Sequence, residues 1–106
     1  MEENLNSKNV YKAAQILELS ESASMSEIKD NYRKLIKKWH PDNCSEKTEK
    51  CKEKTNKIAW AYQIIIKYCN NYRYSFKKNE IVKNLPAEKR VEEKLEQQFQ
   101  NDPLWN

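Results

Sequence analysis

Two apolar stripes of helical period flank Pro41, and they leave the middle of this 106-residue chain few ways to fold. Before the proline, Ile28, Tyr32, Leu35 and Trp39 recur with steps of four, three and four residues, which puts them on one face of a helix. After it, Cys51, Thr55, Ile58, Tyr62, Ile65 and Cys69 recur with the same steps. Proline pushes the residue before it out of helical geometry and has no amide hydrogen to donate, so the first of these helices ends near His40. Two helices joined by so short a bend bury their stripes by folding back antiparallel. The bend then presents His40, Pro41 and Asp42 at the tip of a stiff hairpin. Asp42, Asn43 and Ser45 readily bond local backbone, and Ser45 or a neighbour is placed to cap the helix that follows.

The rest of the chain is consistent with an all-α fold. It has no glycine, 3 prolines and 34% charged residues, which disfavours sheets that need turn glycines. The expected architecture is an antiparallel hairpin of the second and third helices, with a short first helix packed on it and a C-terminal helical arm. Residues 1–8 are polar and expected to be flexible. A first helix begins around Asn9 and runs through Val10, Ala13, Ala14 and Leu17. Ser24-Met25-Ser26-Glu27 reads as a capping box that starts the second helix at Ser24. The third, from about Glu46 to Tyr68, is the main core helix, with Ile58, Ala59, Ala61, Tyr62, Ile65 and Ile66 on its buried side. Asn70-Asn71 ends it, because asparagine tolerates the left-handed conformation that glycine otherwise supplies.

Residues 9–70 thus form the principal domain and 71–106 an extension. Tyr72, Tyr74 and Phe76 read either as extended chain or as aromatics packed back on the hairpin. A last helix is expected near 86–100, where Pro86 suits a first turn and Val91, Leu95 and Phe99 repeat every four residues. Asp102-Pro103 stops it. Leu104 and Trp105 remain as an apolar tail, tucked in or offered to a client or recruitment partner.

Charge and cysteine content bound the function. The formal charge is only +4, so the total balance does not single out a nucleic-acid partner. Its distribution is uneven: Lys29, Arg33, Lys34, Lys37 and Lys38 crowd the second helix against Glu27 and Asp30, so an acidic partner is expected. The odd count of 3 cysteines, without paired spacing, reads as reduced thiols in a cytoplasmic protein. Met1-Glu2-Glu3-Asn4 is acidic and polar, unlike a signal peptide, and no apolar run approaches the roughly 20 residues needed to cross a bilayer. His40, Cys44 and Cys51 lack the spacing of a structural zinc site. No nucleophile–base pair or phosphate-cradling glycine loop is present, so neither an enzyme nor a cofactor is expected.

His40-Pro41-Asp42, directly after a basic amphipathic helix and before an antiparallel one, resembles the J domain of DnaJ-type co-chaperones. The resemblance covers residues 9–69. It is carried by Ala14-Gln15-Ile16-Leu17, Ala23-Ser24-Met25-Ser26-Glu27-Ile28-Lys29, Tyr32-Arg33-Lys34-Leu35, Trp39-His40-Pro41-Asp42 and Ile58-Ala59-Trp60-Ala61-Tyr62. It implies docking of the basic helix and the loop on a DnaK-type heat-shock chaperone, whose ATPase is thereby stimulated. Lys29, Arg33, Lys34, Lys37, Lys38 and Asn43 would supply contacts, and His40, Pro41 and Asp42 the trigger. The chain departs from the family pattern in several places. Leu19-Ser20 stands where a glycine is usual, Asn43 where a basic residue is frequent, and Thr55 where phenylalanine is common. The family's short fourth helix is not recognisable after Asn70.

Two other readings compete. A small basic helical nucleic-acid-binding protein would use the same lysine face. A structural J-like domain would use its C-terminal arm for assembly, and the intact tripeptide counts against it. In the bland reading, His40 merely ends a helix and the lysines solvate an exposed face.

Overall fold

In the computed structural model, which describes residues 4–92, α1 (Ser7–Ile16) starts where the Asn6 side-chain oxygen accepts from the Asn9 amide at 2.8 Å. This start lies two residues before the expected one, because an asparagine cap outweighs the polar character of the first turn. The helix ends in a Schellman motif. Glu18 takes a positive φ of 54°, its amide donates to Gln15 O at 3.0 Å, and the Leu19 amide donates to Ala14 O at 2.9 Å. Asn31 Nδ2 completes the cap by donating to Leu17 O and Glu18 O, both at 3.1 Å, and so ties the next helix to this corner.

The second helix, α2 (Met25–Trp39), opens with the expected capping box: Ser24 Oγ accepts from the Glu27 amide at 3.2 Å, and Glu27 Oε1 accepts from the Ser24 amide at 3.3 Å. It ends at His40. The long helix α3 (Thr48–Asn71) differs from expectation at both ends. Lys47 takes the N-cap position without a side-chain cap, in place of Ser45. Asn71 closes the helix through an Nδ2 bond to Lys67 O at 2.8 Å, in right-handed geometry. An amide side chain that reaches back to the last turn needs no left-handed residue.

α1 and α2 both pack on α3, and the pairing of α2 with α3 is antiparallel. Tyr32 stacks on Tyr62 with centroids 4.0 Å apart, while Trp39 meets Thr55, so numbers fall on α2 as they rise on α3; beyond the end of α2, loop Cys44 meets Cys51. The core comprises Ala13, Leu17, Ile28, Ile58, Trp60, Ala61, Ile64 and Ile65, with Tyr32, Leu35, Trp39 and Tyr62 packed against it. Ile64 and Trp60 lie off the stripe read from the sequence. A helix covered by two partners buries more than one stripe, and Lys12 of α1 reaches over Trp60 with Nζ 5.9 Å from the ring centroid. Each large aliphatic side chain fully removed from water contributes about 1.5–3 kcal/mol.

The expected reduced thiols are corrected at two positions. Cys44 and Cys51 form a disulfide. Cys51 is on the buried stripe, as expected, but as one half of a cross-link rather than as a small apolar filler. The bend brings its loop partner to it, a closeness that sequence spacing does not reveal. Cys69 stays half-buried, and burial pushes its thiol up from the ordinary value.

The chain divides after Tyr72 into two units. In the second, residues 73–77 carry no regular secondary structure, and Tyr74 and Phe76 are largely exposed. α4 (Lys78–Asn84) follows, a short helix that the sequence pattern did not announce; Asn84 Nδ2 donates to Glu80 O at 2.9 Å at its end. Residues 87–92 are helical after Pro86. The remainder of the helix expected over 86–100, with Leu95 and Phe99, and the tail Leu104-Trp105 lie outside the described residues. Among the described residues there is no strand, and no helix is long and apolar enough to cross a membrane.

Candidate functional site

Pro41 sets the geometry of the hairpin tip. His40, forced out of the helix by the proline that follows, caps α2 with φ −58° and ψ 135°, while its amide still donates to Ile36 O at 2.8 Å. Its carbonyl then accepts from the amides of both Asn43 and Cys44, each at 2.9 Å, which closes a tight turn over the tripeptide. The turn is therefore ordered by its own backbone.

The imidazole takes part in the same turn. His40 Nδ1 accepts from the Asp42 amide at 3.2 Å. An amide can only donate, so Nδ1 holds the lone pair and, in the neutral ring, the hydrogen sits on Nε2. Asp42 Oδ2 lies 3.6 Å from the same nitrogen, an approach that becomes an ion pair only in the imidazolium form. In the neutral form the amide bond is the operative contact, and the Asp42 carboxylate, whose side chain is 87% exposed, faces solvent. Such a carboxylate accepts two parallel hydrogen bonds from an arginine.

Arg33, Lys37, His40, Asp42 and Asn43 come together around one open cleft of about 460 Å³, shared with Tyr32 and Ile36. Pro41 is half-buried behind them. Lys29, Lys34 and Lys38 are exposed on α2 but do not line the cleft. Lys38 instead lies over the Trp39 ring, its Nζ 5.5 Å from the centroid. Arg33 is within 3.4 Å of Asp30, an exposed pair of the kind that contributes little and leaves the guanidinium open to exchange partners. The basic side chains thus keep their charges in solvent. Chemically, the site combines a cationic helix face with a carboxylate that can accept hydrogen bonds and an imidazole N–H that can donate one at its tip.

Sequence reasoning passed over two contributors to this tip. Lys54 of α3 places Nζ 5.4 Å from the Trp39 centroid, so the ring beside His40 is flanked by cations from both helices. Thr55 donates from Oγ1 to Trp39 O at 2.9 Å. The lysine-rich opening of α3 was the only signal for the first. A threonine on an apolar stripe was the signal for the second, since a hydroxyl there needs an acceptor. No group of three or more His, Cys, Asp or Glu close enough to hold a metal ion occurs among the described residues, and Cys44 and Cys51 are spent on their disulfide.

The arrangement is that of a small three-helix unit presenting an ordered polar turn beside a basic helix. Residues 10–74, more than half of the chain, match the DnaJ domain family, and the chain belongs to that family. Chaperone protein DnaJ of Thermosipho melanesiensis is 43% identical over 51 residues, 48% of this chain and 14% of that protein. Chaperone protein DnaJ 2 of Aquifex aeolicus is 45% identical over 51 residues, 48% of this chain and 13% of its own length. DnaJ protein P58IPK homolog of Arabidopsis thaliana is 45% identical over 58 residues, 55% of this chain and 11% of that protein. The chain therefore spans only 11–14% of the length of these relatives. No solved structure matches it.

Proposed function

We propose that this chain is a co-chaperone that docks on a DnaK-type heat-shock chaperone and stimulates its ATPase, with no catalytic chemistry of its own. Membership of the DnaJ domain family and relatives named as DnaJ chaperones support the role. The observation that carries it is the convergence of His40, Asp42 and Asn43 with Arg33 and Lys37 on one exposed cleft at the end of the α2–α3 hairpin. Lys29, Lys34 and Lys38 steer an acidic face toward that cleft, which raises the encounter rate more than the final affinity. Pro41 and the turn bonds preset the tip, so little conformational freedom is lost on docking. His40 then offers Nε2–H and Asp42 its carboxylate as directional contacts. Residues 9–70 act as the docking module in this reading, and 71–106 recruit a client or a further partner.

Single-turnover ATP hydrolysis by a DnaK-type chaperone, with the wild-type protein and with His40→Gln, tests the proposal. Acceleration by the wild type, abolished in the variant at unchanged helical circular dichroism, is expected. A folded wild type that gives no acceleration sinks it. Tight, steeply salt-dependent binding of nucleic acid that ignores His40→Gln but collapses on loss of the lysines is the result a nucleic-acid-binding protein gives instead.

A further inference from the structure

Cys51 and Thr55 sit one helical turn apart on α3 and hold the backbone on either side of His40–Asn43. Thr55 Oγ1 bonds the carbonyl of Trp39, the residue just before this tetrad, at 2.9 Å. Cys51 is bonded through sulfur to Cys44, the residue just after it. Both anchors stand on the central helix. Cys51 is 1% exposed and Thr55 is half-buried, so neither can shift without moving α3. Among the described residues, the bonds that order the segment they bracket are local, namely those of the Asn43 and Cys44 amides to His40 O and of the Asp42 amide to Nδ1. α3 begins at Thr48, and its N-cap residue Lys47 makes no side-chain cap, so no further brace comes from that position.

We propose that Cys51 and Thr55 are positioning residues that clamp the His40–Asn43 turn in its docking geometry, and that the Cys44–Cys51 anchor is releasable by a dithiol reductant. The proposal rests on the docking function proposed above. A disulfide removes freedom from the unfolded chain, and that effect grows only slowly with loop length. This one spans a separation of seven residues, and its sulfur lands next to the exposed turn.

The chemistry of release is ordinary exchange. A thiolate of the reductant attacks Cys44 Sγ, the more accessible sulfur, and the Cys44–Cys51 bond breaks as Cys51 leaves with the electron pair and takes up a proton. The second thiol of the reductant then attacks its own sulfur in the mixed disulfide. Cys44 leaves in turn and is protonated, and the two electrons lost by the dithiol, now itself a disulfide, have reduced the pair. Cys69 cannot replace the external reductant. It lies 18 positions beyond Cys51 on the same helix, roughly 27 Å along its axis. After release, the turn keeps the Thr55 anchor alone, and Cys44 and its neighbours sample open conformations.

Amide hydrogen exchange reads the clamp without any partner, because the Asn43 and Cys44 amides both donate to His40 O. Reduction of the wild type, or Cys44→Ser in its place, is expected to speed exchange at these two amides about tenfold while leaving the core amides of Ala61 and Ile64 unchanged. Thr55→Val behaves in the same direction, and Thr55→Ser, which keeps the hydroxyl, restores protection. In the ATPase assay, run with Cys44→Ser so that no reductant touches the chaperone, half-saturation moves to about tenfold higher protein concentration with the maximal rate unchanged. Equal exchange at the two amides in oxidised and reduced protein overturns the proposal, and so does an unmoved half-saturation. Absence of stimulation in every redox state instead overturns the docking function, and the exchange data keep that result distinct.

Discussion

Thr55 Oγ1 donates a 2.9 Å hydrogen bond to the carbonyl oxygen of Trp39, so the middle of one helix satisfies the open end of another. The last carbonyls of α2 have no intrahelical donor, and here the donor comes from across the hairpin. Thr55→Val preserves shape and removes the hydroxyl. It should destabilise the protein by about 1–2 kcal/mol, the usual cost of stranding a partly buried acceptor, with Thr55→Ser recovering most of it. Urea unfolding midpoints for the three proteins check this.

Glu18 adopts a left-handed backbone at the end of α1, with φ 54°. A side chain with a Cβ meets the following carbonyl there, and glycine does not. Glu18→Gly should therefore stabilise the fold, by about 0.5–1 kcal/mol after the added freedom of the unfolded chain is deducted. A rise in the denaturant midpoint at unchanged slope is the expected signature.

Ile64 is fully buried although it lies off the stripe that the sequence displays. Ile64→Ala leaves a hole between three helices and should cost about 2–5 kcal/mol. Ile66→Ala, at a half-buried position two residues on and on the opposite side of the helix, should cost clearly less. Comparing the two thermal midpoints separates the observed core from the one the pattern suggests.

Lys34 and Lys37 are exposed on the basic face of α2. Reversing both to glutamate should slow association with the proposed chaperone partner by about tenfold at low ionic strength, because steering acts on the encounter rate. The difference should nearly vanish at ~1 M salt, where the screening length falls to about 3 Å. Association rates measured by surface plasmon resonance across a salt series read both effects.

Burial pushes the Cys69 thiol up. The native state then holds the proton more tightly than the unfolded chain does. The stability this contributes is complete below the unfolded value and is lost as pH rises through the higher folded value. Alkylation of Cys69 should accordingly show a pH–rate profile displaced to the alkaline side of that of the urea-unfolded chain, and stability should fall in that same alkaline window.

Helix existence was legible because it depends on local signals. The Ser24–Glu27 box, Pro41 and the spacing of Ile28, Tyr32, Leu35 and Trp39 each act within a turn or two of the chain. Boundaries were less so. Asn6 and Asn71 cap through side-chain bonds whose geometry a residue type only permits, and α4 is too short to show a period. Around the candidate site, the loop and the α2 cations were nameable from order alone, while Lys54 and Thr55 were not, since they reach Trp39 from another helix.

Chain order alone sufficed for an all-helical chain with a hairpin bent at Pro41 and a polar tripeptide at its tip, because periodicity and proline sterics are properties of neighbours in the chain. Packing in three dimensions was needed to bring Cys44 to Cys51 and Thr55 to Trp39 and to put Ile64 in the core. Those pairings depend on how α3 is rotated between α1 and α2, a choice settled by the packing of all three helices at once.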